Sequence, residues 1–312
     1  MIFTGRANPE LGREVTNYVG VELGKVDIST FSNGEIYAKY RESVRGSDSF
    51  VIQSFCEPVN DNLMELLVMV DALKRASAAR ISAIIPYYAY ARQDKKSASR
   101  EPISAKLIAD LLTVAGVDRV LTMDLHAGQI QGFFNVPVDH LTALPILAHY
   151  FKNLGLDDLI VVSPDVGRVK VAKRCADRLG VSIAVLHKSR PKHNVAEITQ
   201  LVGDVKGKRA LIIDDMIDTA GTIVHGAEAL LENGAREVYV CATHPIFSGP
   251  AVERLKKSPI KEVVVTNTIP VLQDKRFEKL KVLSIASLFG QVILNVHEDK
   301  SVSEIFQGDN TI

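Results

Sequence analysis

Ala210-Leu211-Ile212-Ile213-Asp214-Asp215-Met216-Ile217-Asp218-Thr219-Ala220-Gly221-Thr222 runs from an apolar segment into an acidic, small-residue turn. Residues 210–213 predict a short buried strand, and the helical spacing of Ile223, Ala227, Leu230 and Leu231 begins directly after the turn. Small residues between a strand and a helix offer backbone N–H groups and hydroxyls to a phosphate. Asp214 and Asp215, at the predicted strand end, are acceptors suited to the vicinal hydroxyls of a ribose. On these residues alone, a satisfied acidic pair beside a glycine-containing turn is an equal alternative.

The same rhythm repeats outward from this stretch. Strands are predicted at 2–4, 50–53, 81–85, 120–123, 159–163, 181–186, 238–240, 263–265 and 282–283. A helix carrying Leu63, Leu66, Leu67, Val70 and Leu73 follows the second of these. Another takes Pro102 into its first turn, aligns Ile103, Leu107, Ile108, Leu111 and Leu112 on one face, and stops at Gly116. A further helix is predicted near 166–179. Alternating strands and helices imply an α/β fold, with mainly parallel sheets flanked by helices. The segment 44–52 resembles 205–213, each a basic-Gly turn leading into an apolar strand, and this points to a duplicated domain. Two similar domains are therefore expected, 1–145 and 146–312, meeting around Pro145.

Composition narrows the class. The 312 residues are 46% hydrophobic and 24% charged, an ordinary globular balance with enough chain for two cores. Lys plus Arg and Asp plus Glu are 37 each, so the net charge of zero argues against a broad nucleic-acid surface. No apolar run approaches a membrane span. Cys56, Cys175 and Cys241 lack metal spacing, and without a signal peptide they predict structural thiols in a reducing cytoplasm.

Several stretches carry chemistry. Tyr87-Tyr88-Ala89-Tyr90-Ala91-Arg92-Gln93-Asp94-Lys95-Lys96-Ser97-Ala98-Ser99-Arg100-Glu101-Pro102 sets four cations among small residues, a composition that surrounds a polyphosphate or forms a solvated basic loop. His187-Lys188-Ser189-Arg190-Pro191 is on its own terms a solvated turn. Met123-Asp124-Leu125-His126-Ala127 and Ser163-Pro164-Asp165 end predicted strands; a lone His there is a poor ligand for magnesium, which prefers oxygen. Ser301 and Glu304 have capping-box spacing.

Together with Phe31-Ser32-Asn33-Gly34-Glu35, these segments resemble the ribose-phosphate pyrophosphokinases over nearly the whole chain. The 210–222 run is similar to the phosphoribosyl pyrophosphate motif of the type I phosphoribosyltransferase fold, so the resemblance implies two phosphoribosyltransferase-like domains. The activity implied is transfer of the pyrophosphoryl group of Mg-ATP to the anomeric hydroxyl of ribose 5-phosphate, giving 5-phosphoribosyl 1-pyrophosphate and AMP. Lys188 and Arg190 match the family's catalytic cations. Arg92 and Gln93 lie in its ATP loop, and Phe31, Asn33 and Glu35 match the adenine-side loop that reaches a neighbouring subunit's ATP. Asn33 stands where many members have Asp. His126 and Asp165 match residues that hold magnesium and nucleotide phosphates. Asp214 and Asp215 match the sugar contacts, and Asp218, Thr219, Ala220, Gly221 and Thr222 the cradle of the 5-phosphate. Arg45, Arg100, Gln131, Asp139, Ser301, Ser303 and Phe306 match a regulatory site for ADP or phosphate.

The resemblance further implies Mg2+ as cofactor, ATP and ribose 5-phosphate as partners, and self-association built from dimers toward a hexamer, with no nucleic-acid or membrane partner. One position departs from the pattern. The family usually reads Ser-Pro-Asp-x-Gly-Gly, and the last residue here is Arg168. Arg adds bulk and charge where a pyrophosphate approaches backbone N–H groups, although it could also bind that anion. A phosphoribosyltransferase would leave the Tyr90–Arg100 loop without a role. A non-catalytic homologue is disfavoured by Lys188, Arg190, His126 and the intact 214–222 run.

Overall fold

The computed structural model describes residues 1–189 and 198–306. Helices between its apolar runs are long enough to reverse the chain, so most successive strands enter their sheets in the same direction. Contacts gather the chain into two units, Met1–Thr142 with Thr268–Pro270 and Ser284–Ile312, and Ala143–Asn267 with Val271–Leu283.

The first unit runs β1 (Ile2–Thr4), α1 (Pro9–Val19), β2 (Val26–Thr30), β3 (Ile36–Tyr40), β4 (Asp48–Ile52), α2 (Val59–Arg75), β5 (Arg80–Ile85), α3 (Ser104–Ala115), β6 (Arg119–Met123) and β7 (Val138–Leu141). Strands β1-β4-β5-β6-β7 form a parallel sheet in that order, and β2 and β3 pair apart from it as an antiparallel hairpin. Helix α1 has its start and stop written locally. Asn8 accepts the Leu11 N–H at 3.3 Å, Pro9 fills the first position, and Gly20 closes the helix at φ 80°.

Helix α3 differs from its sequence reading in two ways. It begins at Ser104 rather than around Pro102, because the Gln93 carbonyl takes the Ala105 N–H at 3.2 Å and the Gln93 side chain takes the Ser104 hydroxyl at 2.5 Å. Its apolar residues also occupy two faces. Ala105, Ile108, Ala109 and Leu112 are buried, whereas Ile103, Leu107, Leu111 and Val114 are exposed.

The second unit runs α4 (Leu144–Asn153), β8 (Leu159–Ser163), α5 (Val169–Leu179), β9 (Ser182–Ser189), β10 (Ile198–Val202), β11 (Arg209–Ile217), α6 (Gly221–Glu232), β12 (Glu237–Pro245), α7 (Ala251–Lys257), β13 (Glu262–Thr266) and β14 (Leu280–Leu283). Its sheet is ordered β10-β9-β8-β11-β12-β13-β14, parallel except for β10 against β9. Ile160, Val162, Ile212, Val240 and Val263 are at most 1% exposed in this core, where each aliphatic side chain stabilises by about 1.5–3 kcal/mol. The strand order β8-β11-β12-β13-β14 repeats β1-β4-β5-β6-β7 of the first unit. The similar segments 44–52 and 205–213 thus lead into β4 and β11, which hold the same place in the two orders.

The last part of the chain was expected in the second domain, but α8 (Ala286–His297) and α9 (Ser303–Phe306) belong to the first unit. Packing explains the return. Helix α8 lies on α1, where Gly290 leaves room for the Tyr18 ring, 2.4 Å from where a Cβ would sit. Asp48 on β4 accepts from Arg80 Nε at 2.8 Å and bonds His297 Nδ1 at 2.8 Å, and Arg80 donates to the Val296 carbonyl at 3.0 Å.

Burial alone would raise the Asp48 carboxyl; hydrogen bonds and charge from Arg80 and His297 outweigh it and hold the group below the ordinary range. The stabilisation is therefore present above the unfolded carboxylate value, about 4, and is lost as pH falls through the depressed folded value. Asp48→Asn should cost about 1–2 kcal/mol in urea unfolding at pH 7. The gap between variant and parent should narrow progressively as pH falls below about 4; a gap independent of pH would assign the effect to packing.

Candidate active site

The second sheet changes direction between β8 and β11: the chain passes outward to β9 on one side and to β12 on the other. Ligands of open α/β sheets bind outside the carboxyl ends of strands at such a point. Here those ends carry Ser163-Pro164-Asp165 and the acidic run that continues into α6.

Strand β11 is longer than predicted. It pairs with β12 through Asp214 and on to Ile217, so the acidic pair lies within the strand rather than at its end. The reason is the equal length of β12, which supplies a ladder beyond the apolar core. Asp215 donates its N–H to Asp214 Oδ1 at 2.8 Å. Burial first, and then the charge of Asp215, push the Asp214 carboxyl above the ordinary range, with Arg168 opposing. Arg168 is ion-paired with Asp215, and its Nε lies 3.7 Å from Asp214 Oδ1.

The turn after β11 is held from outside. The carbonyls of Ile217 and Asp218 accept the N–H groups of Phe247 and Ser248 at 3.0 Å each, and Arg254 Nη1 donates to the Thr219 carbonyl at 3.0 Å. Ala220 has φ 61°, a left-handed conformation that costs a residue with a Cβ roughly 1–2 kcal/mol. Gly221 opens α6, and a Cβ there would stand 3.3 Å from Arg254 Nη1. First-turn N–H groups and the positive end of the helix dipole make such a start receptive to an anion. Lys188 lies on β9 opposite Thr199 of β10, in a strand rather than in the expected turn. Its partner in the motif, Arg190, lies outside the described residues.

The remaining candidates belong to the first unit. Phe31 to Glu35 form the tip of the β2–β3 hairpin, closed by Phe31 N–H to the Glu35 carbonyl at 2.8 Å and by Glu35 N–H to Asn33 Oδ1 at 3.2 Å. Gly34 takes φ 93° at the bend. Phe31 is 54% exposed, and its ring centroid lies 6.0 Å from that of Tyr37. Tyr87, Tyr88, Ala89 and Ala91 are buried and anchor the basic loop, while the chain from Arg92 to Arg100 is exposed apart from half-buried Asp94. Asp94 accepts from Gln129 at 2.5 Å. His126 is exposed beyond β6.

The effector candidates have varied settings. Arg45 donates to Ser77 Oγ at 3.3 Å, Gln131 to the Gly128 carbonyl at 3.0 Å, and Asp139 pairs with Arg119 at 2.6 Å. Arg100 and Ser303 are exposed. Ser301 accepts at its carbonyl from Asn295 at 2.6 Å, and Phe306 is buried at 1% exposure, a core position.

Among the described residues, no three His, Cys, Asp or Glu side chains gather as a metal site. Asp165, an exposed carboxylate, still fits magnesium, which takes one or two carboxylates and completes its shell with phosphates and water. His126 is the poorer donor. Cys56, Cys175 and Cys241 are buried free thiols; burial pushes Cys175 up to about 12, so it is inert as a nucleophile. No helix among the described residues is long and apolar enough to cross a membrane.

Comparison with known proteins extends over nearly the full length of the chain. Residues 1–116 match the model of the N-terminal domain of ribose phosphate pyrophosphokinase, and residues 190–307 match the phosphoribosyl synthetase-associated domain. A ribose-phosphate pyrophosphokinase of Caldanaerobacter subterraneus is 59% identical over 98% of this chain and 97% of its own. The Bacillus subtilis protein of that name is 55% identical over 98% and 96%. The crystal structure of phosphoribosylpyrophosphate synthetase from Mycobacterium smegmatis superposes with a TM-score of 0.92 at 51% identity, covering 96% of this chain and 99% of that one. This chain belongs to the ribose-phosphate pyrophosphokinase family.

Within the family's motifs, sequence reading left three structural partners unassigned. Arg254 braces the phosphate-type turn, Tyr37 flanks Phe31, and Arg168 engages the acidic pair. Only Arg168 carried a signal, as a departure from the family pattern.

Proposed function

We propose that this chain catalyses the reaction for which its relatives are named, moving the pyrophosphoryl group of Mg-ATP to the anomeric hydroxyl of ribose 5-phosphate and releasing AMP. The full-length match at 59% identity carries the reading. The acidic pair and anion-receptive turn at the switch point of the second sheet support it. In-line positioning and neutralisation of charge on the phosphate oxygens supply most of the rate in such transfers.

The residue roles are these. Asp214 and Asp215 accept the sugar hydroxyls, and Asp218 to Thr222 hold the 5-phosphate against the start of α6. Lys188, Arg190 and Arg92 offset charge that develops on the transferring group. Gln93, Asn33 and Glu35 contact the nucleotide, with Phe31 against adenine. Asp165 would hold Mg2+ beside the phosphates and His126 matches the family's other metal position; the ion would supply charge neutralisation on the phosphates. Arg45, Arg100, Gln131, Asp139, Ser301 and Ser303 form an effector site, and Phe306 serves it from the core by fixing the tail. Buried thiols suit a reducing cytoplasm.

The chain also self-associates, in dimers that build toward a hexamer. Leu107, Leu111 and Val114 recur along one face of α3 and Ile103 stands just before its start, with Leu107 57% and Val114 78% exposed. A second copy of the chain is the occupant this stripe suits, because its apolar side chains are otherwise left in water.

Product analysis with purified protein, ribose 5-phosphate and Mg-ATP tests the activity. AMP with phosphoribosyl pyrophosphate is expected; ADP would indicate an ordinary kinase. Calorimetry separates the substrate sites. Asp218→Ala should weaken ribose 5-phosphate by about tenfold and ATP little, and Phe31→Ala should do the reverse. The opposite pattern would reject both assignments.

A further inference from the structure

Arg168 joins two loops that the sequence separates widely. It ends the turn Val166–Arg168 after β8 and leads into α5. Its backbone N–H donates to Asp165 Oδ1 at 3.0 Å. Its side chain crosses to the neighbouring strand β11, pairing with Asp215 and approaching Asp214 to 3.7 Å. The Arg168 side chain is 16% exposed and that of Asp215 only 4%, so solvent screens the pair weakly. A planar guanidinium can address two carboxylates at once, which an ammonium cannot do with fixed geometry.

We propose that Arg168 is a positioning residue for ribose 5-phosphate, tying the Ser163–Arg168 turn to β11 and holding Asp214 and Asp215 oriented as acceptors for the sugar's vicinal hydroxyls. The inference rests on reading 214–222 as the sugar-phosphate site. Adjacent carboxylates repel each other, and a cation shared between them fixes their rotamers. The contact engages Oδ1 of Asp214 and Oδ2 of Asp215. A carboxylate has about four lone-pair directions, so acceptor capacity remains for the hydroxyls. A glycine at 168, the usual family residue, would leave this orientation to other groups.

The test measures ribose 5-phosphate and 2-deoxyribose 5-phosphate binding by calorimetry, with steady-state kinetics alongside, in Arg168→Gly, Arg168→Gln and Arg168→Lys. The Gly and Gln variants should bind ribose 5-phosphate about 10- to 100-fold more weakly, the worth of a hydrogen bond to a charged group. Their preference for the 2-hydroxyl should shrink, because the loss falls on the hydroxyl acceptors. The Lys variant should be intermediate, while KM for ATP stays within about twofold. If the Gly variant does not fold, the Gln variant, which keeps most of the stem, decides.

Unchanged ribose 5-phosphate affinity and unchanged hydroxyl preference in Arg168→Gln would overturn the proposal. Asp215→Asn tells the two failures apart. If that variant binds ribose 5-phosphate normally, the sugar-site reading itself is wrong. If it binds weakly and Arg168→Gln does not, only the role of Arg168 falls.

Discussion

Lys188→Ala should lower kcat by about 10²-fold or more while KM for both substrates moves by less than about threefold. The proposed partner of this cation is charge that develops only in the transition state, and removing such a partner leaves ground-state binding nearly intact. Arg190→Ala should behave similarly. The two residues sit two positions apart in His187-Lys188-Ser189-Arg190, so they are expected to act on one group of oxygens. The double variant should then lose less than the product of the single losses, since effects within one cooperating unit are not additive. An unchanged kcat with a raised KM would make Lys188 a binding residue. Full multiplicativity would mean that the two cations act independently.

Near-complete loss of activity, with partial return on mixing, is the second large effect expected. Phe31 stands on the tip of the β2–β3 hairpin, more than half exposed, in the loop proposed to complete a neighbour's ATP site. Phe31→Ala would damage the loop that a subunit donates, and Lys188→Ala the site that it keeps. Each homo-oligomer should be nearly inactive, but mixed dimers contain one intact site and should regain part of the activity. A chain with both lesions, paired with wild type, has one lesion in each site and should remain nearly inactive. Dilution below the dimer dissociation constant should abolish activity with the secondary structure retained, because association is a mass-action equilibrium. Native mass spectrometry identifies the heterodimers. If they form without rescue, both loops serve a single chain.

The fold class was legible because its signal is local. Apolar runs such as 159–163 become strands wherever they lie, and Gly20 and Gly116 stop helices through their own backbone freedom at φ 80° and 114°. The candidate site was legible as motifs for a related reason: an anion-receptive turn needs contiguous small residues before a helix, and 218–222 supply them. Helix α3 shows where periodicity falls short. Its apolar residues satisfy a helical pattern, but the pattern does not say that Ile108 and Leu112 meet the core while Leu107 and Val114 stay outside.

By itself, the sequence determined the alternating α/β architecture, since periodicity and short-range backbone requirements are properties of neighbouring residues, and its motifs carried the resemblance to the family. Tertiary structure alone decided that β11 runs on through the acidic pair, that Ser284 onward returns to the first unit, and that Arg168 faces Asp214 and Asp215. These are consequences of which strands become neighbours. Placing β8 beside β11 brings position 168 to 214 and 215, and the length of β12 sets how far β11 is held extended. Coulomb attraction and ladder hydrogen bonds act through space, so their partners are set once the chain has folded them together.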